Sequence, residues 1–222
     1  MKEIYLFCFS KISEKRQQTN KLMVKDGTQE IIDIRNKIKA DTILFFDMDG
    51  TLIETNFANF LAYQHAIISV TNLDTKLSYD KDQRFNRSLL RTSIPNLTET
   101  EYESIIKRKD KYYFAIMNET KLNTAIVDIL IKYSRTNKSI LVTKCRCDRA
   151  MATLKHFGLA KYFTSIFCRE LSDGNRKINK YENAIYKLKI PPKSVIAFEN
   201  EQNEIEDAKI AGIQEIIKIK YL

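Results

Sequence analysis

Residues 43–55 read ILFFDMDGTLIET, an apolar, strand-like run that ends on two carboxylates, Asp47 and Asp49, followed by Gly50 and Thr51. Asp is a poor strand former, and a buried carboxylate is costly unless it is paired or bound to a metal. A strand that simply stops at a turn explains Asp and Gly as turn residues. A catalytic strand end explains them as chemistry. A carboxylate at Asp47 attacking phosphorus gives an aspartyl-phosphate. Asp49, two residues on, is a candidate general acid for the leaving alkoxide and then general base for water. Gly50 permits a tight turn that brings backbone N–H groups towards a phosphate. Further along, Thr143 closes the run SILVT with a hydroxyl and a backbone N–H for a phosphate oxygen, and Lys180 opens a helical pattern from which it neutralises phosphoryl group and nucleophile together. The stretch FENEQNEIED (198–207) offers oxygen ligands of the kind magnesium prefers.

These residues need elements that bring them together. Short unbroken apolar runs fall at 42–47, 139–143, 165–168, 194–198 and 215–219. Runs of this length suit parallel strands buried on both faces. Helical patterns at 122–134, 147–157, 180–189 and 203–211 alternate with them. The pattern predicts an α/β fold with a doubly wound, mainly parallel, Rossmann-like sheet, whose active site lies at the carboxyl ends of the strands. Asp47, Thr143 and Glu199 stand at such ends. Between the first strand and residue 122, segments 56–70, 81–91 and 98–117 read as helices. Thr98 and Glu101 form a capping-box pattern at the start of the last. Residues 1–40, with a helical pattern near 28–39, read as an N-terminal extension.

Composition sets further bounds. With 44% hydrophobic and 29% charged residues, the 222-residue chain is globular rather than disordered. No apolar run reaches the length of a membrane span, and the apolar start MKEIYLFCF is too short for a secretory signal. The four cysteines, Cys8, Cys145, Cys147 and Cys168, are too few for a disulfide framework and lack zinc spacing, so they are expected to be reduced thiols in a cytoplasmic protein. The net charge of +9 attracts anions. Its Lys and Arg residues are spread along the chain with no dense basic run, which disfavours nucleic acid as substrate without excluding it.

Four pieces in this order resemble the haloacid dehalogenase-like (HAD) hydrolase superfamily. FFDMDGTLIET resembles its DxDGT motif, LVTK its Ser/Thr strand end, NKYENAIYKL its Lys-led helix, and VIAFENEQNEIEDAKIAGI its acidic fourth motif. The likeness covers about 42–55 and 120–222. It implies a magnesium-dependent phosphatase acting on a small phosphorylated metabolite through an aspartyl-phosphate. It further implies a core of 41–55 and 119–222, with 56–118 as a helical cap like those of the phosphoglycolate phosphatase and β-phosphoglucomutase branch. A phosphomutase on a sugar phosphate and a weakly active binding or regulatory protein are the alternatives.

The resemblance implies a metal shell of Asp47, the Asp49 carbonyl, Glu199 and Asn200, with Glu204 where a second acid would sit. Asn200 departs from the pattern, since it falls at the position of a metal-binding Asp and brings one less charge. Lys144 after Thr143 is also uncommon; it adds a charge at the phosphate or points to solvent. Lys177 rivals Lys180 for the third motif. In the cap region, Arg84, Arg87 and Arg91 are candidates for an anionic substrate tail, with Arg87 and Arg91 on one helix face.

Overall fold

The computed structural model describes residues 29–72, 77–169 and 179–220. The chain divides into two compact units, Met1–Lys39 and Ala40–Leu222. In the first, residues 29–37 are helical (α1). The apolar start, Cys8 and Lys177 lie outside the described residues. The second unit holds every other element.

Its five-stranded sheet has the order β5-β4-β1-β6-β7 and is parallel throughout. The strands are β1 (Ile43–Phe46), β4 (Ser139–Val142), β5 (Ser165–Phe167), β6 (Val195–Glu199) and β7 (Glu215–Lys218). Each of the five apolar runs is a strand. In β1, Leu44, Phe45 and Phe46 are fully buried, as expected of a central strand covered on both faces. Phe45 pairs with Ile140 and Ala197, and Phe46 stacks on Phe198 with centroids 4.6 Å apart. On one face Phe45, Ile140, Val142, Tyr181, Ala184, Val195 and Ala208 form a continuous apolar core. The helices α5 (Thr124–Tyr133), α6 (Cys147–His156), α7 (Lys180–Leu188) and α8 (Gln202–Ile210) connect the strands. Because β1 lies between β4 and β6, the chain leaves it in opposite directions on the two sides. The carboxyl ends of these three strands therefore open onto one crevice.

Two short elements escape the periodicity reading. β2 (Ile53–Glu54) and β3 (Lys121–Leu122) pair antiparallel, Ile53 opposite Leu122. They frame a helical block of α2 (Asn56–Thr71), α3 (Arg87–Ser93) and α4 (Glu99–Ala115). Two-residue strands are too short to show alternation. The block has its own apolar cluster, including Phe60, Tyr63, Ile67, Phe85, Leu90 and Ile105. The capping box at the start of α4 is formed: the Glu101 N–H donates to Thr98 Oγ1 (3.2 Å) and the Thr98 N–H to Glu101 Oε2 (2.9 Å). The helix expected at 81–91 begins only at Arg87. The Asn86 side chain accepts from the N–H groups of Ser88 and Leu89 (2.9 and 3.0 Å) and caps it there. Residues 81–86 stay non-helical, with consequences for Arg84.

The expectation of reduced thiols is corrected. Cys147 and Cys168 form a disulfide with Cα atoms 5.1 Å apart, while Cys145 is free and buried. β4 and β5 are parallel neighbours, so the residue opening α6 and the residue following β5 meet at the same end of the sheet. The cytoplasmic setting inferred from reduced thiols loses that support. A cross-link over 21 residues is expected to contribute about 3 kcal/mol by restricting the unfolded chain. Cys147→Ser should lower the melting temperature measurably, and reductant should lower that of the wild type but not of the variant. Equal melting temperatures for the two proteins without reductant would remove the disulfide from the stability account. Among the described residues, no helix is long and apolar enough to cross a membrane.

Candidate active site

A cavity of about 1050 Å³ lies over the carboxyl ends of β1, β4 and β6, and Asp47, Asp49, Thr143, Lys180, Glu199 and Asn200 all line it. Asp47 follows β1 and is still tied to the sheet, its N–H donating to Phe198 O (3.1 Å). Its Oδ1 accepts from Lys180 Nζ at 2.7 Å. Burial pushes the Asp47 carboxyl up to about 8; Lys180 opposes that rise and Glu199 adds to it. Burial would also lower Lys180, but Asp47, Glu199 and Glu204 hold it well above its ordinary range. The ammonium therefore keeps its charge beside the candidate nucleophile.

Lys180 reaches this place because Asn179 caps α7. The Asn179 side chain accepts from the N–H groups of Tyr181 and Glu182 (3.0 and 2.8 Å), and Glu182 completes the box. Lys180 then points from the first turn into three carboxylates: Asp47, Glu199 at 2.8 Å and Glu204 at 3.2 Å. Of the two lysines in question, Lys180 is the one placed among the described residues.

Gly50 has φ 91°, which favours glycine. Its N–H donates to Ile53 O at 2.8 Å and closes the tight turn expected there, so its own N–H is committed within the turn. Thr143 is buried at 2% exposure. Its N–H is also committed, to Phe167 O (2.9 Å), while its hydroxyl accepts from Cys145 N–H (3.1 Å). The hydroxyl is thus the group Thr143 can turn to a ligand.

Asp49 presents a different environment. Its Oδ1 accepts from the Thr55 hydroxyl at 2.8 Å. Its Oδ2 is paired with Arg149 and, at 3.2 Å, with Arg84. Burial alone would raise this carboxyl, yet Arg149, Arg84 and the Thr55 bond bring it down to about 2. The two carboxylates at one strand end are pushed apart in pKa: without a further cation Asp47 holds its proton while Asp49 is ionised by its arginines. Arg84 arrives from the non-helical 81–86 segment. Arg149 comes from the first turn of α6, where its Nε donates to Cys145 Sγ (2.7 Å) and its guanidinium lies 5.0 Å from the Tyr113 ring centre. Arg149 was missed in the sequence; the available signal was a basic residue in the first turn of the helix that follows the strand end at Thr143.

Several expected site residues are placed otherwise. Glu199, expected in the metal shell, has its oxygens engaged by protein donors. It is fully buried, and its oxygens accept from Lys180 Nζ (2.8 Å), Tyr181 OH (2.6 Å), Asn200 N–H (2.8 Å) and Glu201 N–H (3.1 Å). It orients Lys180 instead. Lys144 pairs with Glu204 at 2.5 Å and Asp207 at 3.1 Å, so it binds α8 to the rim rather than standing ready for phosphate. Arg91 turns outward to Glu99 (2.9 Å) and stacks on Tyr102 (3.7 Å). Arg87 lines a separate surface cleft with Tyr102 and Arg146. Neither arginine lines the cavity that contains Asp47.

The donors left for a cation are all oxygens: the Asp47 carboxylate, the Asp49 carbonyl, Asn200 and Glu204. With its amide nitrogen turned to the acceptors, Asn200 donates to Glu199 (3.2 Å), the Asp49 carbonyl (3.2 Å) and the Thr51 hydroxyl (3.1 Å). Turned over, the same amide places its oxygen beside the Asp49 carbonyl. Glu204 Oε2 is buried with no hydrogen-bond donor, although Lys180 is near enough for an ion pair. On this side four carboxylates, Asp47, Glu199, Glu204 and Asp207, face two ammonium groups, Lys144 and Lys180. Oxygen donors and surplus negative charge fit a hard divalent cation. The set is thin: among the described residues, no three His, Cys, Asp or Glu side chains converge as a ligand cluster.

A family model described as haloacid dehalogenase-like hydrolase matches residues 44–218. A phosphorylated carbohydrates phosphatase of Thermotoga maritima is 28% identical over 181 residues, covering 78% of this chain and 82% of its own. Among solved structures, CbbY from Rhodobacter sphaeroides in complex with phosphate superposes with a TM-score of 0.64 at 19% identity, over 80% of this chain and 86% of its own. A predicted phosphoglycolate phosphatase from Haemophilus somnus gives 0.66 at 19% identity, over 79% and 84%. At these identities the structural likeness concerns the fold.

Proposed function

Because the chain belongs to the haloacid dehalogenase-like hydrolase family, we propose that it hydrolyses a small-molecule phosphomonoester through an aspartyl-phosphate on Asp47. The observation that carries this reading is the convergence of Lys180 Nζ on Asp47 at 2.7 Å, with Asp49 two residues on lining the same cavity. Asp47 attacks phosphorus while the Thr143 hydroxyl and the Lys180 ammonium hold the phosphoryl oxygens. Asp49 must first take up a proton, which Asp47 releases as it ionises for attack; it gives that proton to the leaving oxygen and then takes one from the water that attacks the aspartyl-phosphate. Glu199 and Tyr181 fix Lys180 in place.

Magnesium, held by Asp47, the Asp49 carbonyl, Asn200 and Glu204, would supply positive charge that favours the Asp47 anion and screens the phosphoryl group. The helical block α2–α4, inserted between β2 and β3, is the proposed cap that encloses the substrate. The phosphorylated-carbohydrate specificity of the Thermotoga relative supports a small metabolite as the substrate class. Phosphate release from p-nitrophenyl phosphate and a panel of sugar phosphates, with magnesium or with EDTA, tests the reading. Release confined to magnesium supports it; isomerisation of a sugar phosphate without release would assign a mutase instead.

Asn200 sets the strength of the metal site. Asn200→Asp is expected to tighten magnesium binding, seen as a larger magnesium-induced rise in melting temperature. In EDTA the variant should be less stable by about 1–2 kcal/mol, because a carboxylate then replaces an amide donor facing Glu199 and the Asp49 carbonyl. A variant with unchanged magnesium response would remove residue 200 from the metal shell.

A further inference from the structure

Lys144 directly follows Thr143, and its ammonium reaches from the end of β4 to α8. In the sheet, β1 lies between β4 and β6, and β6 leads into α8. The bridge therefore crosses the carboxyl end of β1, where Asp47 stands. It ends on two carboxylates about one helical turn apart, Glu204 Oε1 at 2.5 Å and Asp207 Oδ2 at 3.1 Å. The two differ in depth. Glu204 lines the cavity together with Lys144 and is 9% exposed, whereas Asp207 is 28% exposed and is not one of the lining residues. The other Glu204 oxygen, Oε2, is buried with no hydrogen-bond donor and has Lys180 at ion-pair distance, 3.2 Å.

A buried carboxylate needs a counter-charge. Lys144 and Lys180 supply it to Glu204 from either side. A divalent cation drawing on the same carboxylate would stand beside two ammonium groups, and like charges a few ångströms apart in a partly dry crevice repel strongly. One ammonium has to yield. Lys180 is 7% exposed and is also held by Asp47 and Glu199, so it stays. Lys144 is 54% exposed, sits on a flexible four-carbon stem, and already touches a second carboxylate farther out. It can leave Glu204 without losing its counter-charge.

We propose that Lys144 is a built-in competitor of the divalent cation for Glu204, and that it withdraws to Asp207 when the cation is bound. This rests on the magnesium part of the phosphatase reading and goes beyond it, since metal loading becomes an exchange between two cations at one carboxylate. Asp207 then favours loading without touching the cation, because it receives the displaced ammonium. Lys144 acts through Glu204 and is a positioning residue. Its competition adds to the charge missing at Asn200, so both residues weaken the metal site and raise the magnesium concentration at which it fills.

The test is magnesium binding to the full chain without substrate, by isothermal titration calorimetry, with circular dichroism to confirm folding. Lys144→Gln is expected to bind magnesium about 10-fold more tightly, the range for a hydrogen bond between charged groups. Asp207→Asn is expected to bind it about 3-fold more weakly, because the displaced ammonium then has no second carboxylate. A diffuse change in local charge would give the same signs, so the double variant decides. Under exchange, Asp207 matters only through Lys144, and Asp207→Asn should have no further effect in the Lys144→Gln background. Magnesium binding by Lys144→Gln but not by the wild type is the same exchange at its extreme and supports the proposal. Unchanged or weaker binding in Lys144→Gln would overturn it, as would single effects that simply add in the double variant. No magnesium binding by the wild type or by Lys144→Gln would overturn the metal part of the phosphatase reading along with it.

Discussion

Asp47→Asn is expected to abolish phosphate release, with a loss of about 10⁴-fold or more in kcat, equivalent to at least about 5 kcal/mol of transition-state stabilisation. The amide has the shape of the carboxyl but no anion to attack phosphorus. The fold should survive. Asp47 Oδ1 is replaced by a group of the same size, and Lys180 keeps Glu199 at 2.8 Å and Glu204 at 3.2 Å. The magnitude matters because a merely supporting Asp47 would cost about one hydrogen bond, roughly 10-fold. Circular dichroism and melting temperature separate lost chemistry from lost structure. A folded variant retaining more than about a hundredth of wild-type turnover would exclude Asp47 as nucleophile.

Lys180→Met should have the largest effect on stability and should also slow turnover. Lys180 is a single ammonium shared by Asp47, Glu199 and Glu204, with its own side chain 7% exposed. Removing one partner of a buried ion network strands the others, at a cost of about 3–5 kcal/mol. For a chain of this size that corresponds to a fall of roughly 10 °C in melting temperature. The pH dependence gives an independent check. In the variant the stranded carboxylates are held more protonated in the folded than in the unfolded chain, so the native state binds more protons. Stability of the variant should therefore rise as pH falls from 8 towards about 5, relative to wild type. Deficits that stay constant over that range would mean that Lys180 acts through packing alone.

The strand ends were legible because their signal is one-dimensional. Unbroken apolar runs specify parallel strands, and the polar residue that stops each run is also the residue that enters the crevice. Asp47, Asp49 and Thr143 follow from that rule, as does Lys180 from its place before an apolar helical face. Glu199 shows the limit of the rule. Its position is right, but its oxygens are taken by Lys180, Tyr181 and two main-chain N–H groups, a competition that no linear spacing reveals. Arg84 and Arg91 illustrate the same point from the helical block. Both are arginines in one short basic stretch, yet Asn86 caps α3 and leaves Arg84 on a loop that turns inward, while Arg91 faces Glu99 outside. Arg149 and the Cys147–Cys168 bond depend on β4 and β5 being neighbours, which is a property of the sheet order.

The most direct test of the central claim is to trap the covalent intermediate. Wild-type protein turning over p-nitrophenyl phosphate with magnesium is quenched in acid, digested and analysed by mass spectrometry. One phosphoryl group on the peptide carrying ILFFDMDGTLIET, located at Asp47 and absent from Asp47→Asn, is the predicted result. Phosphate release with the label on another residue, or with Asp47 unlabelled throughout the burst and steady state, would contradict it.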